Sequence, residues 1–228
     1  VFKTKKDASR HLKAGAKNVI ISAPAKGDNV ATIVKGVNHK IAKDHDVLAN
    51  ASCTTNNVSA LLKLLNQKFG IKRCSFSTIH SVTSSQKLVD LPHSDLRRAR
   101  AAGINIIPTS TSADKAAVQA IPSLKGKIRG FAFRVPLTCG SVTEFTIETN
   151  KPVTEEKVNS AVKVAAKGPL KGIIEYSTDE LVSTDILGNP HSAIFDSKLT
   201  TVIDKKFLHV VAWYDNEWGY SSRMVDMI

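Results

Sequence analysis

A cysteine at the start of a long amphipathic helix is the feature that most constrains how this chain can fold. Gly70 stands where a helix commonly ends, and one helical face is formed by Val58, Leu61, Leu62, Leu65 and Phe69. Cys53 is therefore predicted at or beside the N-cap, where unpaired N–H groups and the helix dipole favour an anion. A thiol there loses its proton more readily and becomes a nucleophile. A buried core cysteine is the alternative, and position alone does not decide between them.

A histidine follows on the next predicted strand. That strand covers Cys74–Ile79 and leads directly into His80. A strand that returns from the helix can bring its end back beside the helix start, so Cys53 and His80 are predicted to form a thiolate–imidazolium pair. The chain has seven histidines, and a structural histidine remains the alternative.

Composition excludes several classes of protein. Hydrophobic content of 42% and charged content of 23% are ordinary for a globular domain, and no apolar run is long enough to span a membrane. Three cysteines without a paired pattern argue against a disulfide scaffold and for a reducing compartment. Their spacing to one another and to histidines predicts no metal site. The net charge of +12 fits either a nucleic-acid partner or a solvated lysine-rich surface. The second is favoured because the early lysines are not interleaved with aromatic residues.

Two patterns of elements succeed each other along the chain. The first is a small α/β unit, with a helix over residues 7–14 capped by Asp7, a strand over 18–22, a loop over 23–28, and further segments over 33–37 and 47–49. The second is predicted as an α+β unit with a mostly antiparallel sheet and helices on one face. Its predicted strands cover 127–135, 141–149 and 207–213, with a turn over 136–140 between the first two. Its predicted helix covers 154–167 and turns Val158, Ala161, Val162 and Ala165 inward.

Several motifs make the chain resemble the phosphorylating glyceraldehyde-3-phosphate dehydrogenase family. They occur in the family's order and spacing, and the resemblance covers nearly all of the chain. The motifs are Ala-Ser-Cys-Thr-Thr-Asn at 51–56, Ser-Thr-Ile-His at 77–80, Asp-Leu-Arg-Arg-Ala-Arg at 95–100, Asn-Ile-Ile-Pro at 105–108, Phe-Arg-Val-Pro at 133–136 and Trp-Tyr-Asp-Asn-Glu at 213–217.

The resemblance implies a domain organisation. Residues 1–52 would be a remnant of a Rossmann-type dinucleotide-binding domain, 53–215 the catalytic domain, and 216–228 the start of a C-terminal helix that returns to the dinucleotide-binding domain. The family's Gly-x-Gly-x-x-Gly turn does not occur in this sequence. Val1 and Phe2 resemble the middle of a family sequence, so we expect a fragment that binds NAD weakly.

The resemblance also implies a reaction. Cys53 would attack D-glyceraldehyde 3-phosphate, a hydride would pass to NAD, with NADP left open, and inorganic phosphate would release 1,3-bisphosphoglycerate from a thioester. His80 would lower the thiol pKa and move the proton. A non-catalytic binding protein that uses the basic surface of the same fold is the alternative function. A cysteine hydrolase is a third class, for which no motif supplies an orienting asparagine or aspartate.

The remaining site residues are also carried over from the family motifs. Arg97 is selected over Arg98 and Arg100 by alignment of the motif, not by chemistry. The implied substrate and phosphate residues are Ser52, Thr54, Thr83, Arg97, Thr111, Ser112 and Arg134, and those near the nicotinamide are Asn216 and Tyr220. Ser112 stands where the family usually has glycine, which puts the backbone approach to phosphate in doubt.

The expected partners are small molecules and copies of the chain itself. The polar segment 95–100, with Val89 and Leu91 nearby, resembles the family's loop between subunits, so we expect a homotetramer. We expect no membrane, no nucleic acid and no metal. The expected compartment is the cytoplasm, with an organelle left open.

Overall fold

The protein contains two β-sheets in this computed structural model, which describes residues 2–27 and 30–228. Val1, at which the predicted fragment starts, and Asp28, the last residue of the predicted loop over 23–28, lie outside these ranges. A three-stranded sheet has the order β1-β3-β2, and a seven-stranded sheet has the order β5-β6-β4-β7-β10-β9-β8.

The first sheet is a small parallel unit. Its elements are α1 (Lys5–Lys13), β1 (Val19–Ile21), β2 (Ala31–Thr32), a 3₁₀ helix (His39–Asp44) and β3 (Val47–Ala49). Asp7 is not the cap of α1, since the Thr4 hydroxyl accepts from the Asp7 N–H and Thr4 has the extended backbone of an N-cap. The predicted segment 33–37 is not a strand, although Ile33 and Val34 are fully buried.

Helix α2 (Cys53–Phe69) begins and ends as predicted. The Ser52 hydroxyl accepts from the Thr55 N–H at the N-cap, and Gly70 ends the helix with a φ of 69°, which suits a residue without a Cβ. Leu61 and Leu65 are fully buried. The helix is thus anchored in the core, and its first residue faces the end of the sheet.

The large sheet is mostly antiparallel, as predicted. Its strands are β4 (Ile71–His80), β5 (Ile107–Thr109), β6 (Ile128–Arg134), β7 (Ser141–Thr149), β8 (Ile174–Ser177), β9 (Ala193–Ile203) and β10 (Phe207–Tyr214). Only the β4–β6 and β8–β9 pairs are parallel within it. The loop over 136–140 does connect β6 to β7, but β4 lies between them, so they are not a hairpin. The parallel β4–β6 register brings His80 opposite Arg134.

Three further helices complete the fold: α3 (Ala113–Ala120), α4 (Glu155–Lys167) and α5 (Trp218–Val225). Helices α2 and α4 pack on the same sheet face, whose core contains Phe76, Phe145 and Phe195. Val158, Val162 and Ala165 of α4 are buried, whereas Ala161 is only half-buried. Within the part of the chain that the structure describes, no helix is long and apolar enough to cross a membrane.

Candidate active site

A strained residue delivers Cys53 to the helix start. Ala51 lies between β3 and α2 with a φ of 52°, a left-handed conformation that costs a non-glycine residue about 1–2 kcal/mol. The Asn56 side chain holds this bend, because its Nδ2 donates to the carbonyls of Asn50 and Ser52, both at 3.0 Å. The sequence offers no signal for this conformation, which is set by what surrounds it.

The structure brings Cys53 and His80 together. The Sγ of Cys53 lies 3.3 Å from the Nε2 of His80. Cys53 is the first residue of α2 and His80 the last of β4, so the helix–strand return places them side by side. His80 is only 3% exposed. A buried imidazole is thus the nearest proton acceptor to the thiol among the described residues.

The second ring nitrogen of His80 has two neighbours of opposite kind. Nδ1 lies 2.8 Å from the carbonyl oxygen of Ser81, which can only accept, whereas the Arg134 guanidinium that also contacts Nδ1 can only donate. Arg134 Nη1 donates to the same carbonyl at 3.0 Å and also contacts Nδ1. With the proton on Nδ1, the lone pair of Nε2 faces the Cys53 thiol.

The pKa shifts of the two groups disfavour both charged forms of the predicted ion pair. Burial raises the pKa of the Cys53 thiol, and hydrogen bonds with Thr54 and the Arg134 charge oppose this only in part. Burial and then the Arg134 charge lower the pKa of His80 to about 4. Both shifts favour the neutral forms of the two groups. The helix-start position does favour the thiolate, but desolvation of the thiol outweighs it.

Cys53 opens into a pocket of about 310 Å³, and Arg98 lines it where the sequence analysis selected Arg97. Arg97 instead lines a neighbouring pocket of about 470 Å³. Arg98 is held by bonds from its Nε to Thr109 Oγ1 at 2.7 Å and from Nη2 to the Ser110 carbonyl at 3.4 Å. Adjacent arginines point to different sides of a loop, and only the folded chain decides which enters the pocket.

Arg134 supplies the second cation. It ends β6 beside His80 and lines the same pocket. Its Nε is buried and has no hydrogen-bond partner among the described residues. A buried donor without a partner costs roughly 1–3 kcal/mol, which an anionic ligand could recover by accepting a hydrogen bond from it.

The predicted hydroxyl residues all line this pocket: Ser52, Thr54, Thr83, Thr111 and Ser112. Several already have partners. The Thr83 hydroxyl donates to Gln86 Oε1 at 2.7 Å, and the Thr111 hydroxyl accepts from the Ala113 N–H at 3.1 Å. Ser112 precedes α3 with a φ of −97°. That value is open to any residue, so serine replaces glycine there without backbone strain.

Tyr214 is a site residue that sequence reasoning missed. It is 1% exposed, and its hydroxyl lies within hydrogen-bond distance of Thr54 Oγ1 at 3.0 Å and Thr78 Oγ1 at 2.8 Å. It thereby ties the first turn of α2 to β4 beneath the Cys53–His80 pair. The sequence shows that Tyr214 belongs to the Trp-Tyr-Asp-Asn-Glu motif, but it does not show that the Tyr214 hydroxyl contacts α2 and β4.

Asn216 is oriented by three donors. Its Oδ1 accepts from the Gly140 N–H at 3.0 Å, from Ser81 Oγ at 2.9 Å and from Ser141 Oγ at 3.1 Å. A backbone N–H can only donate, so the amide oxygen is identified and only the Nδ2 amine is left to donate to a ligand. The Tyr220 hydroxyl donates to the Ala51 carbonyl at 3.4 Å, so it contacts the strained bend.

Clusters of metal-ligating side chains are absent from the described residues. Among residues 2–27 and 30–228, no group of three or more His, Cys, Asp or Glu side chains could hold a metal ion. The fold and the pocket thus define a protein with a half-buried cysteine beside a buried histidine, two arginines and an oriented asparagine at the end of a mostly antiparallel sheet.

Comparison with known proteins assigns this arrangement to a family. The profile of the family described as "Glyceraldehyde 3-phosphate dehydrogenase, C-terminal domain" matches residues 52–216. The chain is 53% identical over 229 residues to the glyceraldehyde-3-phosphate dehydrogenase of Mycobacterium avium, covering 100% of this chain and 67% of that protein. It is 52% identical over 228 residues to glyceraldehyde-3-phosphate dehydrogenase 1 of Bacillus subtilis, covering 99% and 68%. The chain therefore belongs to the glyceraldehyde-3-phosphate dehydrogenase family.

Proposed function

We propose that this chain carries the catalytic centre of a glycolytic oxidoreductase that converts D-glyceraldehyde 3-phosphate to 1,3-bisphosphoglycerate through a thioester on Cys53. The observation that carries the proposal is the 3.3 Å contact between Cys53 Sγ and His80 Nε2 in a pocket with Arg98 and Arg134. Membership of the family supports the reaction type.

The neutral pair suits a proton transfer that accompanies attack. As Cys53 Sγ bonds to the aldehyde carbon, the thiol proton passes to His80 Nε2, while the Nδ1–H group stays hydrogen-bonded to the Ser81 carbonyl oxygen. The imidazolium can then protonate the developing alkoxide to give a hemithioacetal. As neutral imidazole, His80 can later remove that hydroxyl proton while a hydride leaves the same carbon for the cofactor, which gives the thioester. Phosphate finally attacks the thioester carbon, the C–S bond breaks, and the His80 imidazolium returns its proton to Sγ.

The two arginines suit two phosphates, one on the substrate and one that attacks. Arg134 presents an unpartnered buried Nε, and Arg98 is held in place by the Thr109 hydroxyl. A guanidinium matches the geometry of phosphate oxygens. The hydroxyls of Thr83 and Thr111 are proposed as neutral donors, which requires the Thr83 hydroxyl to leave Gln86 when a ligand binds.

The residues present fit the nicotinamide end of NAD or NADP. Asn216 can donate only through Nδ2, and a carboxamide oxygen would accept that proton. When bound there, NAD or NADP would supply the hydride acceptor for the oxidation at the substrate carbon. Tyr220 is proposed to support the site through Ala51. We further propose a homotetramer that acts in the cytoplasm.

Acyl transfer in the reverse direction tests the proposal without the cofactor. An acyl phosphate should acylate Cys53, since the C–S bond forms as phosphate leaves, and intact-mass and peptide mass spectrometry should find the thioester on Cys53. Cys53→Ser should abolish the thioester, and His80→Gln should slow its formation by about 10²–10⁴-fold. Cys139→Ser serves as the matched control and should leave the rate unchanged. Acylation of Cys74 or Cys139 instead, or none at all, would favour the non-catalytic alternative.

A further inference from the structure

A second cationic pocket lies at the opposite edge of the large sheet. It has a volume of about 350 Å³ and is lined by residues of α4, the loop after it, β8 and the loop before β9, among them Lys163, Lys167, Lys171, Glu175, Tyr176 and His191. It shares no residue with the Cys53 pocket. Strand β8 is four strands from β4, so the two pockets are roughly 20 Å apart at normal strand spacing.

The three lysines have no acidic partner. No carboxylate lies within 4.0 Å of the ammonium of Lys163, Lys167 or Lys171 among the described residues. Lys163 Nζ is held 5.6 Å from the centre of the Tyr176 ring, a cation–π distance. Tyr176 is itself stacked on the fully buried Phe195, with ring centres 6.0 Å apart. The Lys163 ammonium is therefore positioned over an aromatic ring that is itself packed against the core.

Glu175, the acidic residue that lines the pocket, already has polar partners. Glu175 Oε2 accepts from Asn189 Nδ2 at 2.8 Å and lies 3.1 Å from His191 Nδ1. Arg223, whose Nη1 donates to the Gly172 carbonyl at 2.7 Å, is paired with Asp226 at 2.8 Å and adds no net charge. The pocket lining itself carries three lysines against Glu175, so its charge balance is positive.

We propose that this lysine pocket binds an oligophosphate, meaning two or three linked phosphoryl groups carried by an inorganic or a nucleoside polyphosphate. Lys163 and Lys167 are four residues apart on one helical face, which sets their Cβ atoms about 5–6 Å apart. Linked phosphoryl groups can span that distance, and their larger negative charge matches three ammonium groups, including Lys171 from the following loop, better than that of a single phosphate. The volume of about 350 Å³ accommodates such a ligand.

Calorimetric titration with tripolyphosphate at low ionic strength tests the proposal. The variant K163Q/K167Q/K171Q should bind roughly 8- to 100-fold more weakly, since each exposed ion pair contributes roughly a two- to five-fold factor. The matched control K5Q/K6Q/K13Q removes the same charge from exposed positions on α1 and should change affinity less than two-fold. Anions held by the Cys53 pocket contribute equally in both variants, so the difference reports the lysine pocket.

Further ligands distinguish the source of the phosphoryl groups. Adenosine triphosphate should show the same lysine dependence as tripolyphosphate, and adenosine monophosphate should bind at least ten-fold more weakly than either. Equal losses in the two triple variants, equal binding of the monophosphate, or no tripolyphosphate binding below 1 mM would overturn the proposal. Lysine-dependent binding of a single-stranded RNA without binding of tripolyphosphate would overturn it in favour of nucleic acid.

Discussion

Two neighbouring arginines give the sharpest test of the catalytic pocket. Arg98 lines the pocket of Cys53, whereas Arg97 lines the neighbouring one. Each can be changed to glutamine with the same loss of charge. The rate at which Cys53 reacts with iodoacetate, divided by its rate with neutral iodoacetamide, measures the positive potential at the thiol. The ratio cancels changes in thiol reactivity that affect both reagents.

The expected magnitude follows from the size of the pocket. A sphere of 310 Å³ is about 8 Å across. At that distance one unit charge in a half-open site, with an effective dielectric of about 40, contributes about 1 kcal/mol. Arg98→Gln should therefore lower the ratio about five-fold, and Arg97→Gln should change it less than two-fold. The measurement belongs at low salt, where such charges are least screened.

Stopped-time alkylation followed by peptide mapping gives both rates at Cys53, and thermal unfolding checks that each variant is folded. The control matters because Arg98 also donates to the Thr109 hydroxyl. Equal reductions in the Arg97 and Arg98 variants would show that the chain's general charge, not the pocket arginine, sets the potential at the thiol, and would refute the reasoning.

Three further predictions concern stability. The pKa of His80 is about 4 in the folded state against 6.5 in the unfolded state, so the free energy of unfolding should be highest above pH 6.5 and about 3 kcal/mol lower at pH 4. Denaturant unfolding of the His80→Gln variant should lose most of this pH dependence, and an unchanged profile would contradict the assignment. Tyr214→Phe should cost roughly 1–3 kcal/mol by urea unfolding, because it leaves the buried hydroxyls of Thr54 and Thr78 with fewer partners; a loss under 0.5 kcal/mol would count against it. Ala51→Gly should raise the free energy of unfolding by about 0.5–1 kcal/mol in urea, since relief of the left-handed strain exceeds the added chain entropy. A destabilised variant would show that the bend is unstrained.

Local patterns were sufficient for the elements that hold the site. The spacing of apolar residues from Val58 to Phe69 and the helix-ending Gly70 predicted α2 almost to its ends. The motif sequence likewise led to the family, which the comparisons confirm. Such features depend on neighbours within a few residues, and the chemistry of caps and helical faces is readable at that range.

Long-range packing decided the rest. The sequence could not tell Arg98 from Arg97, because both lie on one short loop and only its path over β5 separates them. Nor could it foresee that β4 would lie between β6 and β7, which brings Arg134 opposite His80.

The charge state of the pair shows the same division. The sequence determined that Cys53 starts a helix, that His80 ends the following strand and, through its motifs, which family the chain belongs to. Only the tertiary structure decided in which direction the pKa values of the thiol and imidazole shift, and that the Tyr214 hydroxyl reaches Thr54, because desolvation and buried hydrogen bonds depend on every element packed around a group and not on its neighbours in the chain.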